Sequence, residues 1–249
     1  MNCTESHIEQ LAKEYYGLSV TAKMLNGYDE LNYLLTDANK KRFILKVSDD
    51  LQPFPFLDAQ VKIIKHLSKS TLAAKFQQFC INTEGEELTL IIEEGKKYYL
   101  RILSFLEGTF WVEKANKSID LYRNLGNFMG TMDKSLQDFS HTAMHRHYTW
   151  DVSRASDTND KLKYIKNHER RRIAGYFLLQ FDTEVLPQLH SLRHAYIHND
   201  ANDYNILVDE TNVTGLIDFG DMVYTALINN LAITCTYAML ANEDPLNAA

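Results

Sequence analysis

The period of the hydrophobic pattern changes once along this chain, and the change limits the folds open to it. Residues 20–25, 31–36 and 42–47 are rich in β-forming side chains and are separated by turn residues, which predicts an antiparallel meander. Beyond residue 113 the pattern is mainly helical. The sequence therefore predicts an α+β chain in which a sheet precedes a group of helices.

The other elements follow from the same two periods. In the first part we expect helices at 4–16 and 55–69 and further strands at 76–82, 87–93 and 97–105. In the second part we expect helices at 119–135, 161–179 and 183–191. We accordingly divide the chain into an N-lobe at 1–103, a hinge at 104–108 and a mainly helical C-lobe at 109–249.

Composition and charge narrow the class of protein. The 249 residues are 45% hydrophobic and carry a net charge of −7, so the chain lacks the basic character that nucleic-acid binding needs. Its three Cys are widely spaced, which is typical of a reducing compartment, and its N-terminus lacks a signal-peptide pattern. We expect a cytoplasmic protein that binds neither nucleic acid nor membrane. The sequence does not determine its oligomeric state.

Small polar residues are concentrated near the C-terminus, where they indicate binding loops. Asp200 is followed by Asn205 and later by Asp218, which begins an Asp-Phe-Gly sequence. Such oxygen ligands suit Mg²⁺, which bridges nucleotide phosphates. The spacing matches His-x-Asp-x₄-Asn followed by Asp-Phe-Gly, the pattern of kinases. The alternative is an acidic turn that bonds only to its own backbone.

Two segments carry a family resemblance: IHNDANDYNILV at 197–208 and GLIDFGDMVYTALINNLAI at 215–233. They resemble the aminoglycoside phosphotransferase and choline kinase superfamily, and most of all its hydroxylysine-kinase-like branch. RFILKV at 42–47 and YYLRILSFLEGT at 98–109 fit the same branch. The resemblance implies a two-lobed, protein-kinase-like fold and a phosphotransferase that uses ATP and Mg²⁺.

The resemblance also implies roles in catalysis and phosphate binding. Asp200 matches the catalytic carboxylate that positions the acceptor hydroxyl. Asn205 and Asp218 match the Mg²⁺ ligands. Lys46 matches the lysine that holds the α- and β-phosphates of ATP, although a solvated charge on a strand is the alternative for this residue.

Further residues match the nucleotide site. Residues Ser104, Phe105 and Leu106 match the connector whose backbone binds adenine, and Gly27 and Tyr28 match the turn over the phosphates. Asp58 is the candidate carboxylate partner of Lys46. An acidic residue near a helix start is also favourable through the helix dipole alone, so both interpretations of Asp58 stay open.

Four residues near the motif are candidates for the acceptor site: Asp203, Asp221, Tyr224 and Trp150. The two carboxylates suit an ammonium group on the acceptor, and they equally suit support of the Mg²⁺ ligands. The tryptophan matches a recurring Trp-Asp pair of the branch, and packing is its alternative role.

We therefore expect a small-molecule kinase that phosphorylates a hydroxyl of a small, amino-bearing metabolite such as hydroxylysine, homoserine, choline or an aminoglycoside. A non-catalytic nucleotide-binding domain with a kinase-like fold is the alternative. Members of this superfamily continue with several more helices beyond the segment that ends this sequence. A naturally short or truncated C-lobe would leave an exposed apolar patch.

Overall fold

The computed structural model describes residues 4–27, 30–240, 242 and 245–248. The chain divides into two compact units, Met1–Gly108 and Thr109–Ala249. The mixture of helices and antiparallel sheet that the sequence predicts is confirmed.

In its described residues, unit 1 contains one antiparallel sheet and two α-helices. The elements are α1 (Glu5–Tyr16), β1 (Val20–Leu25), β2 (Leu31–Asp37), β3 (Arg42–Asp49), α2 (Phe54–Leu67), β4 (Phe79–Cys80), β5 (Thr89–Glu93) and β6 (Lys96–Ser104). The strand order is β1-β2-β3-β6-β4, and β5 also pairs with β6. The predicted meander of the first three strands is confirmed by the antiparallel pairing of β1 with β2 and of β2 with β3.

Helix α1 covers one face of this sheet. It begins where the side chain of Thr4 accepts the N–H of His7, and it ends at Gly17, whose φ of 65° is the left-handed conformation that glycine adopts without strain. The apolar stripe of α1 packs into a core cluster with inward-facing side chains of the sheet: Ile8, Leu11, Ala12, Tyr33, Leu35, Leu45 and Ile102. Burial of this stripe stabilises the helix on the sheet.

One predicted strand of unit 1 is shorter than expected. Only Phe79–Cys80 of the segment 76–82 pairs as a strand. At its start, Gln78 N–H donates to the side-chain Oγ of Ser104 at 2.9 Å. At its end, the side chain of Asn82 accepts backbone N–H groups from Glu84 and Glu86, both at 2.9 Å, and this turn stops the strand.

The part of unit 2 that the structure describes combines helices with two small sheets. The elements are β7 (Thr109–Phe110), α3 (Ile119–Ser135), α4 (His168–Gln180), β8 (His194–Ile197), β9 (Ile206–Val208), β10 (Val213–Leu216), β11 (Val223–Ala226), α5 (Ile228–Met239) and α6 (Pro245–Ala248). One sheet has the order β10-β9-β7, and the other pairs β11 with β8. The helix expected at 119–135 is confirmed.

The predicted helix at 161–179 is wrong as a single element. A 3₁₀ helix at Val152–Tyr164 ends inside the predicted segment, and α4 begins after Asn167 as a separate helix. The side chain of Asn167 accepts the N–H of Arg170, so it caps a new helix. The segment expected to be helical at 183–191 forms a π turn at Phe181–Val185 and a 3₁₀ helix at Leu186–Ser191. Pro187 lacks the N–H that an α-helix would need there.

The strand pairing of unit 2 brings two loops together. The first motif loop (198–205) leaves β8 and enters β9, and the second motif loop (217–222) leaves β10 and enters β11. Because β8 pairs with β11 and β9 with β10, both antiparallel, the two loops run side by side between the pairs. Residues far apart in the sequence therefore meet at this point of the fold.

Helix α4 presents large apolar side chains to solvent. Ile173, Tyr176 and Phe177 are all exposed. Among the residues that the structure describes, no helix combines the length and apolar character that crossing a membrane requires.

A buried hydroxyl in unit 1 gives a prediction about stability. The hydroxyl of Tyr16 donates to the carbonyl of Leu100 at 3.2 Å and accepts from the hydroxyl of Thr89 at 3.0 Å. Tyr16→Phe should lower the free energy of unfolding by about 1–3 kcal/mol, because two buried polar groups lose a partner. Urea-induced unfolding measures the change. Tyr15→Phe, at the neighbouring and less buried tyrosine, is the control and should change stability by less than about 0.5 kcal/mol. Equal effects of the two variants would contradict the assignment.

Candidate active site

A buried histidine joins the two motif loops of unit 2. His198 is fully buried, and its Nδ1 accepts the backbone N–H of Asp200 at 3.3 Å. The proton of the neutral ring therefore lies on Nε2, which donates to the carbonyl of Ile217 at 3.1 Å. Burial lowers the pKa of His198 to about 4, so the ring is neutral at physiological pH. The ring also packs edge-on against Phe219, with centroids 4.8 Å apart.

The carboxylate of Asp200 is held by two amide side chains. Asn202 Nδ2 lies 2.9 Å from each carboxylate oxygen, and Asn205 Nδ2 donates to Oδ2 at 2.8 Å. Asn205 Nδ2 also lies 2.9 Å from the backbone carbonyl of Asp200. Because a carboxylate has about four lone-pair sites, these bonds orient Asp200 and leave it able to accept one more proton donor.

Negative charge accumulates around Asp200. Its pKa is raised to about 6, first by burial and then by the nearby carboxylates of Asp221 and Asp218, although the hydrogen bond from Asn202 acts to lower it. Carboxylates that raise the pKa of a neighbouring carboxyl group in this way favour a cation among them. The electrostatics of the two motif loops thus suit a metal ion, a cationic substrate or both.

The donor set of the motif loops fits a magnesium ion. The amide nitrogen of Asn205 donates to Asp200, so Oδ1 is the atom of this side chain that could bind a metal ion. Asn205 also binds the second motif loop directly, since its carbonyl accepts the N–H of Ile217 at 3.0 Å, next to Asp218. In the described part of the chain, no three His, Cys, Asp or Glu side chains form a metal site by themselves. Mg²⁺ commonly takes one or two protein oxygens and completes its shell with phosphate and water, which this set allows.

The backbone of both motif loops is strained at one position. Asp218 has a φ of 63° and Asn199 a φ of 66°, both in the left-handed region. Asp218 Oδ1 accepts the N–H of Gly220 at 3.3 Å, which offsets part of that cost. Asn and Asp tolerate this conformation better than most residues, and strained backbone of this kind is concentrated at functional sites.

Sequence reasoning missed the support beneath the first motif loop. The N–H of Asn199 donates to Oδ1 of Asn230 on α5 at 3.4 Å. The amide of Asn230 is fully buried and donates to Asp133 on α3 at 2.7 Å. Burial raises the pKa of Asp133 to about 6. No local signal in the sequence marks these residues, because they are joined only by the packing of α3 and α5 on the loop.

The structure gives Asp221 a partner in the scaffold. Its Oδ1 accepts the hydroxyl of Tyr148. Arg146 stacks over the ring of Tyr148 at 4.0 Å and donates to the carbonyls of Gly220 at 2.9 Å and Met222 at 3.1 Å. Arg146 and Tyr148, which the sequence did not single out, therefore fix the end of the second motif loop. The expected role of Asp221 toward an acceptor stays a prediction.

The other acceptor candidates lie in different surroundings. Tyr224 packs against His145, with ring centroids 4.3 Å apart. Trp150 is 66% exposed, and its carbonyl accepts Asn199 Nδ2 at 3.4 Å. Burial lowers the pKa of Lys117, and the negative charge of Asp203 acts to raise it. An acceptor role for Asp203, Tyr224 or Trp150 stays a prediction.

In unit 1, Lys46 is a largely buried lysine with a carboxylate partner. Its side chain is only 12% exposed, so it is not a solvated strand charge, and its Nζ lies 3.4 Å from Oε2 of Glu30. The sequence did not identify Glu30, which precedes β2 and reaches Lys46 only through the pairing of β2 with β3. Asp58, the partner expected from the sequence, accepts Lys62 Nζ at 2.6 Å one helical turn further along α2. Its role toward Lys46 stays a prediction.

The turn before Glu30 requires glycine at one position. A Cβ on Gly27 would lie 2.2 Å from the carbonyl oxygen of Glu30 and 2.7 Å from Nδ2 of Asn32. Every other residue carries a Cβ, so substitution here would force the turn to move. Tyr28, the other residue expected in this turn, lies outside the described residues.

Both backbone polar groups of Ser104 have partners within unit 1. Its N–H donates to the carbonyl of Gln78 at 2.8 Å, and its carbonyl accepts Gln77 Nε2 at 3.0 Å. The ring of Phe105 faces the guanidinium of Arg42 at 4.0 Å. These contacts fix the end of β6 where the predicted hinge begins. The adenine contacts expected of Ser104, Phe105 and Leu106 stay predictions.

Known proteins are similar to this chain over nearly its whole length. A model described as the phosphotransferase enzyme family matches residues 22–249. Hydroxylysine kinase of Xenopus laevis is 29% identical over 272 residues, which cover 98% of this chain and 72% of that protein. Hydroxylysine kinase of Mus musculus is 27% identical over 272 residues, with coverage of 98% and 71%.

A solved structure establishes the fold. An amicoumacin kinase in complex with AMP-PNP and Ca²⁺ is similar with a TM-score of 0.74 at 18% identity, and the match covers 98% of this chain and 74% of that one. The protein-kinase-like α+β fold expected from the sequence is thereby confirmed. The family model and the two relatives named hydroxylysine kinase confirm the resemblance from which it was inferred. The chain belongs to the phosphotransferase enzyme family, and it is a small-molecule kinase.

Proposed function

We propose that this enzyme transfers the γ-phosphoryl group of ATP, bound with Mg²⁺, to a hydroxyl group of a small metabolite that carries an amino group, with hydroxylysine as the favoured acceptor. The observation that carries the proposal is that one neutral histidine joins the loop of Asp200 to the loop of Asp218. Asn205 adds its own bonds to the Asp200 carboxylate and to the backbone next to Asp218. Phosphoryl transfer depends mainly on positioning and on electrostatic stabilisation, and a fixed carboxylate beside metal-ligand oxygens supplies both.

In the proposed reaction, Asp200 accepts a hydrogen bond from the acceptor hydroxyl and directs its oxygen toward the γ-phosphorus. The new bond forms between that oxygen and phosphorus, the bond from phosphorus to the bridging oxygen of ATP breaks, and ADP leaves. The hydroxyl proton passes to Asp200 and then to solvent. Asn205 and Asp218 would hold Mg²⁺, which would neutralise phosphate charge.

The nucleotide is assigned to residues of unit 1. Lys46 binds the α- and β-phosphates, because its largely buried ammonium group pairs strongly with their negative charge. Since both backbone groups of Ser104 have partners, the backbone of Phe105 and Leu106 is proposed to bind adenine. Gly27 allows the chain to pass close to Glu30 and Asn32. A backbone without a Cβ at this point suits a segment that covers phosphates.

The acceptor class follows from charge. The carboxylates of Asp221 and Asp218 both act on Asp200, so the surroundings of the proposed acceptor hydroxyl are strongly acidic. An ammonium group on the acceptor would offset that charge. The relatives named hydroxylysine kinase are similar over nearly the whole chain, which supports a hydroxy-amino acid in particular.

A panel of acceptors tests this proposal. Consumption of Mg-ATP by the purified chain should depend on hydroxylysine and, more weakly, on homoserine, choline or ethanolamine. Lysine, which has the ammonium groups without the hydroxyl, is the control and should give no turnover. ATP consumption that is equal with an uncharged polyol and with hydroxylysine would exclude the proposed charge recognition.

Substitution of the catalytic carboxylate should separate chemistry from binding. Asp200→Asn keeps the size of the side chain and should lower kcat by at least ~10², because the amide cannot take the hydroxyl proton. Its Kd for Mg-ATP should stay within about threefold of wild type. Asp120→Asn, at an exposed carboxylate on α3, is the matched control. Turnover by Asp200→Asn at the wild-type rate would remove this residue from catalysis.

A second substitution tests the metal ligand. Asp218→Asn should abolish the part of ATP affinity that depends on Mg²⁺, because one charged ligand is lost. Isothermal calorimetry with MgCl₂ and with EDTA measures that part as the ratio of the two Kd values. In the wild type the ratio should exceed about tenfold, and in the variant it should approach one. An unchanged ratio would mean that Asp218 does not bind the metal.

A further inference from the structure

Two cations face each other across neighbouring strands of unit 1. Lys46 on β3 and Arg101 on β6 are directly opposed in the antiparallel register, so their side chains lie on the same face of the sheet. Arg101 is only 2% exposed and Lys46 12%. Like charges opposed in this way repel each other, and at this degree of burial water screens them poorly.

The carboxylate of Glu30 lies against both cations. Arg101 Nη2 donates to its two oxygens at 2.6 and 2.7 Å, whereas Lys46 Nζ is 3.4 Å away. Burial acts to raise the pKa of Glu30, but the charges of Arg101 and then Lys46 outweigh it and lower the pKa to about 2. Glu30 is therefore a permanent anion that both cations share.

The sharing is unequal, and side chains around Arg101 keep it so. Ser48 Oγ donates to Glu30 Oε1 at 2.5 Å and accepts from Arg101 Nη1 at 2.7 Å. Gln60 on α2 adds a contact to Arg101 Nη2 at 3.4 Å. The planar guanidinium thus has a fixed position, and Glu30 is bound more closely to Arg101 than to Lys46.

We propose that Arg101 is a positioning residue that withholds Glu30 from Lys46 and so keeps the lysine ammonium able to bind phosphate. This inference rests on the proposed function, in which Lys46 binds the phosphates of ATP. Without Arg101, the nearest cation to Glu30 is Lys46. The carboxylate would then pair fully with the ammonium and compete with the nucleotide for it.

Nucleotide affinity tests the inference. Arg101→Met keeps most of the buried volume and should raise the Kd for Mg-ATP at least ~10-fold. The Kd for adenosine, which has no phosphate, should not change. Arg123→Met, at an exposed arginine on α3, is the matched control and should leave both values at the wild-type level.

The double variant Arg101→Met with Glu30→Gln distinguishes competition from damage to the fold. Removal of the carboxylate should return the Kd for Mg-ATP to within about threefold of wild type, although two buried groups have then been changed. If Arg101 acted only through the fold, the single variant would also lose affinity for adenosine, which competition for Lys46 leaves unchanged. Double variants in which a whole ion pair is replaced also fold more readily than single ones.

Arg101→Lys carries the test if Arg101→Met does not fold. The ammonium of a lysine cannot donate to Glu30 and Ser48 with the fixed planar geometry of the guanidinium. Affinity for Mg-ATP should therefore fall several-fold, and it should recover when Glu30→Gln is added. Wild-type affinity in the single variants, or no recovery in the double ones, would overturn the inference. Failure of the wild type itself to bind Mg-ATP would instead overturn the proposed function.

Discussion

The neutral imidazole of His198 is the contact on which the site in unit 2 depends. One ring nitrogen accepts from the backbone of Asp200, and the other donates to the backbone of Ile217. Only a histidine that stays uncharged can do both, and its complete burial keeps it so. The proposed base and the proposed metal ligand lie on different loops, and this ring holds the backbone of those loops at a fixed spacing.

Local features of the sequence predicted much of the fold. The three-strand meander and the helix at Ile119–Ser135 have strong periods, and Thr4 and Gly17 mark the ends of α1. The motif residues were found because Asp200, Asn205 and Asp218 match a known pattern of residue types at known spacing, which a short stretch of sequence contains. The strand at 76–82 and the helix at 161–179 were misjudged, because side chains of Asn82 and Asn167 bond to backbone and end or restart elements within an apolar pattern.

The residues that the sequence did not reveal are those joined by tertiary packing alone. Glu30 reaches Lys46 and Arg101 because β2, β3 and β6 are neighbours in the sheet, a fact that no short window of sequence contains. Helix position suggested Asp58 as the lysine partner, and the pairing of β2 with β3 adds Glu30 as a second carboxylate. Arg146 and Tyr148 are similar cases, since only the fold brings them to the second motif loop.

Asn230 has a consequence for how this enzyme tolerates change. Its amide joins Asp133 on α3 to the backbone beside Asp200, over separations of 97 and 31 residues in the chain. A shorter or longer side chain at either position would displace the backbone of Asn199, which already has an unfavourable φ. Positions 133 and 230 are thus ones from which a substitution outside the two motif loops can move the backbone next to the proposed catalytic carboxylate.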